Sequence, residues 1–103
     1  MKALKIETDG TMELVEITGE TIDEQNDEIW KILGGYFDIV NMPYAAVMLV
    51  NDEGFLDNLP LNHKAAQIAG YPALAGVALI FGTEDTDDGA IFTDCPDYYA
   101  DFA

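Results

Sequence analysis

Two short apolar runs constrain this chain more than any other feature: Ala45-Ala-Val-Met-Leu-Val50 and Val77-Ala-Leu-Ile-Phe81. Neither carries a polar residue at every second position, as a half-exposed strand would, and both are short for a helix. They read as buried, central strands. Lys2-Ala-Leu-Lys-Ile-Glu-Thr8 alternates instead, with Leu4 and Ile6 on one side and Lys5 and Glu7 on the other, so it reads as a half-buried strand. Asp9-Gly10 is a hairpin turn, and Met12 to Ile17 is its return strand. Tyr36 to Val40 supplies a further strand.

One main helix is written between these strands. Thr21-Ile-Asp-Glu24 fits a capping box, with Thr21 as N-cap and Glu24 three residues on. Ile22, Ile29 and Leu33 fall on one helical face with Trp30 beside them, which places Trp30 in the expected core. Gly34-Gly35 ends the helix. Asn51-Asp-Glu-Gly54 turns the chain. Pro60 breaks the segment from Phe55 to Tyr71, which leaves a short helix over Lys64–Ala69 closed by Gly70. Glu84 to Gly89 is an acidic turn that Ile91-Phe92 extends as a hairpin. After Pro96, Asp97 to Phe102 reads as a short C-terminal helix packed through its aromatic residues.

The expected fold is therefore α+β: a mostly antiparallel sheet of about five strands, one main helix packed on a face, and a short C-terminal helix. A chain of 103 residues holds a single domain, 1–103. Half of its residues are hydrophobic, enough to build a core despite a formal net charge of -16. That charge, from 20 Asp and Glu against four Lys and no Arg, excludes direct nucleic-acid binding, because no basic patch can neutralise phosphates. It opposes anionic membranes for the same reason. No apolar run approaches the roughly 20 residues that span a bilayer, and the N-terminus alternates like a strand rather than a signal peptide. A single cysteine fits a reducing cytoplasm.

Catalytic constellations are missing. The chain has no Ser, so a serine triad is impossible. No local nucleophile signature surrounds His63 or Cys95, and the acids near Cys95 disfavour a thiolate. Without Arg or a Gly-rich loop, phosphoryl transfer has no electrophilic clamp. In an EF-hand register with Gly89 at position 6, Thr86 falls at position 3 and Cys95 at position 12, so the bidentate Glu is absent. The expectation is a non-enzymatic protein with no cofactor and no metal.

The acids themselves form the candidate site. Asp23, Glu24, Asp27 and Glu28 lie on the helix away from its apolar stripe, and Glu84, Asp85, Asp87 and Asp88 crowd one turn. Early acids suit the helix dipole, which explains Asp23 and Glu24. Asp27 and Glu28 each follow another acid by four residues, an arrangement that costs a few tenths of a kcal/mol. A helix of about 18 Å would face roughly ten phosphates of a duplex. Four carboxylates cannot match that density. A face combining the helix with the Glu84–Asp88 turn comes closer.

The order of motifs resembles a small family of phage- and plasmid-borne proteins of unknown function. The residues that carry the likeness are the Lys2-Ala-Leu-Lys-Ile strand, Gly34-Gly35-Tyr36-Phe37-Asp38-Ile39-Val40, the Asn51-Asp-Glu-Gly54 turn, Leu59-Pro60-Leu61-Asn62, and Ala75-Gly76 with Phe81-Gly82. The family pattern often has Arg after Leu-Pro-x-Asn, where this chain has His63-Lys64. The resemblance implies a mobile-element context like that of anti-CRISPR proteins acting on type II effectors, whose nucleic-acid channel is lined by Lys and Arg. It points to an acidic inhibitor or DNA mimic working in the bacterial cytoplasm against a host defence protein, with Tyr44, Tyr98 or Tyr99 as aromatic anchors. The alternatives are a phage accessory domain that binds through the 55–71 loop, and a housekeeping domain adapted to high salt.

Overall fold

The computed structural model describes every residue, 1–103. In chain order its elements are β1 (Lys2–Ile6), β2 (Met12–Glu16), α1 (Ile22–Leu33), β3 (Phe37–Met42), β4 (Ala46–Asn51), α2 (His63–Ala69), β5 (Ala78–Thr86), β6 (Gly89–Thr93) and α3 (Asp97–Ala100). The class is the expected α+β, with six antiparallel strands where about five were expected. The sixth strand is β6, the hairpin partner that Ile91-Phe92 suggested. The turn is shorter than the Glu84–Gly89 read from sequence, because β5 runs on to Thr86 and pairs with β6 from Gly89, which places Glu84 and Asp85 in a strand.

The strand order is β2-β1-β5-β4-β3. The two apolar runs become β4 and β5 at its centre, and every residue of β4 is buried. β5 is long enough to serve two neighbours on one side. Ala78 to Ile80 pair with β1, and Gly82 to Thr86 pair with β6. Gly82 sits where the chain leaving β6 crosses it, and a Cβ there would strike the carbonyl of Asp94. The crossing is tied down by Asp94, whose carboxylate accepts from the Lys2 N–H at 2.8 Å, and by the Cys95 N–H, which donates to the Lys2 carbonyl at 2.8 Å.

Both faces of the sheet are covered. Leu4, Ile6, Met48, Val50 and Ile80 pack beneath α2 and α3, against Ala65, Ala66 and Tyr99. Ala3, Val47, Leu49, Leu79 and Phe81 form the opposite face, covered by Ile29 and Leu33 of α1. Burying each of those two helix side chains contributes about 1.5–3 kcal/mol. The sheet is strongly coiled on this side. Phe37 of β3 and Phe92 of β6 belong to diagonally opposite corners, yet their ring centroids lie 6.3 Å apart, and Phe92 stacks on Phe81 at 5.4 Å.

The helix departs from the expectation at two residues. Trp30 is not core: it is 47% exposed, and Ile22 is 68% exposed. Ile29 and Leu33 are the buried residues of α1, and they share their cluster with Phe81, against which Phe37 and Phe92 pack.

Two buried asparagines position the helices. Asn62, 1% exposed, caps α2 by accepting from the Ala65 N–H, and its amide donates to the carbonyls of Ile6 at 3.0 Å and Gly76 at 2.9 Å. Asn51 donates to the Leu33 carbonyl at 3.1 Å and pins the end of α1 to β4. Gly34 there takes φ 78°, the left-handed conformation that favours glycine, and its N–H closes on the Trp30 carbonyl.

Candidate functional site

The eight acids named above occupy two places that the register relates. β2 ends opposite Lys2, and Lys2 lies level with Gly82 through the β1–β5 pairing. The chain thus enters α1 at the end of the sheet from which the β5–β6 hairpin projects. Asp23, Glu24 and Asp27 are exposed on α1, and Glu84, Asp85, Asp87 and Asp88 are exposed on the hairpin. Thr21 caps α1 as read, the Glu24 N–H donating to Thr21 Oγ1 at 3.1 Å, but the Glu24 carboxylate accepts from the Thr21 hydroxyl at 3.1 Å and not from its backbone N–H, so the capping box is only half formed.

Glu28 is different. Its carboxylate accepts from the Thr18 N–H at 3.0 Å, from the Thr18 hydroxyl at 3.3 Å and from the Gly19 N–H. Those backbone hydrogen bonds, that of Thr18 foremost, hold its pKa below the ordinary carboxylate value. Glu28 therefore closes the β2–α1 turn, a duty that sequence spacing does not reveal.

The remaining acids have no cationic partner. The ion pairs of the molecule join the N-terminal amine to Glu16 and Lys5 to Glu7 and Glu13, all beside β1 and β2. No group of three His, Cys, Asp or Glu side chains converges on a point that could hold a metal ion.

The three tyrosines singled out from sequence come together. Tyr44 stacks on Tyr98 with centroids 4.2 Å apart, and Tyr98 meets Tyr99 edge-on at 4.9 Å. Tyr99 is buried, and its hydroxyl donates to the Pro43 carbonyl at 3.2 Å. Tyr44 and Ala45 both hold positive φ, 65° and 53°, a strain of about 1–2 kcal/mol each that the stack and the Thr83 N–H on the Ala45 carbonyl offset. A groove of about 410 Å³ runs beside this cluster, with Lys64 and Ile68 on its other wall. The rings here satisfy one another.

A second groove, of about 560 Å³, is lined by Asn26, Asp27, Trp30, Tyr36 and Phe37. It sets Asp27 beside two exposed aromatics, Trp30 and Tyr36, that lie outside the sequence-derived site. Asp27 and Trp30 are three residues apart on one turn of α1, and that i,i+3 spacing was the available signal. The Phe37–Phe92 contact brings the base of the acidic hairpin to the wall of this groove.

The remaining candidates are quieter. His63 is the exposed first residue of α2, and Asn62 holds the cap. Burial pushes the Cys95 thiol up to about 11, with Asp97 adding to the rise, so the thiol is neutral at neutral pH. In the 55–71 segment Phe55 and Leu56 are exposed, at 59% and 81%. No helix is long and apolar enough to cross a membrane.

Comparison with the curated proteins and with the solved structures gives no match. A family model, described as a domain of unknown function (DUF3846), matches residues 1–102. The chain belongs to the DUF3846 family.

Proposed function

We propose that this protein is a non-enzymatic binding domain whose acidic surface occupies a Lys/Arg-lined nucleic-acid groove on a host defence protein, most concretely a type II RNA-guided nuclease. The observation that carries the reading is the unneutralised charge: of the eight candidate acids Glu28 closes the turn before α1 and Glu24 accepts from the N-cap hydroxyl, and none has an ion-pair partner. Such a surface raises association rates toward a basic groove and makes binding salt-sensitive. The Phe37–Phe92 contact adds to this, since it sets the base of the acidic hairpin against a ring that lines the groove of Asp27.

The test is target cleavage by an effector–guide complex with the purified protein added, at low and at moderate salt. Inhibition that weakens with salt is expected. It should fall further when Asp85, Asp87 and Asp88 are changed together to Asn. No inhibition and no co-elution with the effector would sink the reading. Glu28 is left intact in these variants, because replacing it would loosen the turn before α1 as well as remove charge.

A second reading, a protein-interaction domain that binds through residues 55–71, is favoured by the exposure of Phe55 and Leu56 beside Asn58, whose φ is 55°. Under that reading the double variant Phe55→Asp/Leu56→Asp abolishes capture of the partner, and salt has little effect.

A further inference from the structure

We propose that the groove between α1 and the start of β3 is an arginine-binding site, in which the guanidinium of a basic protein partner lies against Trp30 and Tyr36 and is held by the carboxylate of Asp27. It deepens the acidic-surface reading and rests on it, naming the contact that would fix the register of such a complex.

The first argument is chemical. The groove offers three aromatic side chains, of which Trp30 and Tyr36 are exposed, with one carboxylate and one amide, and no cation lines it. A guanidinium is the side chain whose plane stacks on an aromatic ring while its N–H fork reaches a carboxylate. Among aromatic rings Trp gives the strongest attraction of this kind.

The second argument is that these rings are uncommitted. Tyr44, Tyr98, Tyr99, Phe102, Phe37, Phe81 and Phe92 all engage other rings, whereas Trp30 and Tyr36 enter no aromatic pair. They remain 47% and 77% exposed. A large exposed Trp beside an unpaired acid is the composition of an interface anchor.

The third argument is preorganisation. The Trp30 carbonyl accepts from Gly34 and Gly35 at 2.8 and 3.1 Å, and the Tyr36 carbonyl accepts from the Asp52 N–H at 3.0 Å. Asn51 ties the same corner to β4. The backbone carrying both rings is therefore set before any partner arrives, which lowers the ordering cost of binding.

Trp30 is the chain's single tryptophan, so its emission reports on this groove alone. The experiment titrates the intact protein with a short neutral-capped peptide containing one Arg, and in parallel with its Lys twin. A saturable change in Trp30 emission is expected with the Arg peptide, and weaker binding with the Lys peptide. Asp27→Asn should weaken the Arg peptide about two- to fivefold, in line with an exposed charge pair. Asp88→Asn, the same charge change at the hairpin tip, should leave it unaltered. Tyr36→Ala should weaken it by a similar factor.

An emission spectrum unmoved by either peptide overturns the site, as do equal losses in Asp27→Asn and Asp88→Asn, which would reflect net charge alone. The outcomes separate from those of the cleavage assay. A basic partner that binds while Trp30 stays silent removes this site and leaves the acidic surface. A Trp30 response without any inhibited or co-eluting effector keeps the arginine site and removes that partner.

Discussion

At the scale of single residues, the polar side chains with the largest structural consequences are those whose partners lie far away in sequence. Asn62 bonds a carbonyl 56 positions back while capping its own helix. Asn62→Ala would remove three buried hydrogen bonds, for an expected loss of about 3 kcal/mol in unfolding free energy. Chemical denaturation with an unchanged m-value would report that loss as stability rather than altered compactness. Glu28 makes a prediction of a different kind. Hydrogen bonds hold its folded-state pKa below the unfolded one. Its contribution is therefore complete above the unfolded Glu value and is lost as pH falls through the folded one. Stability measured from neutral pH down through about pH 4, where free Glu titrates, should decline less steeply in Glu28→Gln than in the parent. Parallel profiles would mean that the carboxylate is not engaged in solution.

At the scale of elements, the β3–β4 turn is the place where backbone strain and side-chain packing oppose each other. Ala45 is exposed at φ 53°, where a Cβ is unfavourable and glycine is not. Ala45→Gly should raise stability by about 0.5–1 kcal/mol net of the extra chain entropy, read as a higher denaturation midpoint; a lower midpoint would show that the turn relaxes elsewhere. Local chemistry of this sort is also what made most elements legible in advance. The Thr21 cap, the Gly34 stop, the apolar runs of β4 and β5 and the acidic hairpin all follow from residues a few positions apart. Trp30 did not, because the face a helix buries depends on what else fills the space. Three phenylalanines from β3, β5 and β6 pack there with Ile29 and Leu33, and Trp30 lines the groove with Asp27. Of the candidate site, the charges were readable and their geometry was not: nothing near Glu28 in sequence shows that it serves the Thr18–Gly19 turn.

At the scale of the whole molecule, a charge of -16 on a body 36 × 26 × 21 Å across sets the balance between folding and recognition. Most of these acids lie within two screening lengths of another, so they repel in the folded state more than in an expanded chain. The edge strands keep their share of the charge, with Glu13 and Glu16 on β2 and Asp38 on β3, where acids oppose edge-to-edge pairing with another copy. Raising NaCl from about 0.02 to about 0.5 M shortens the screening length from roughly 20 to roughly 4 Å. Relief of about 1 kcal/mol of repulsion should then lift Tm by about 4–8 °C in a domain this size. The same salt should weaken capture of a basic partner, so stability and binding move in opposite directions. That opposition distinguishes a surface kept acidic for recognition from one adapted to brine. An adapted domain would be unfolded at the low-salt end, and its folding and its binding would then rise together with salt. A Tm indifferent to salt would instead mean that the acids are spaced too widely to act as one field, and the acidic face would reduce to separate local contacts.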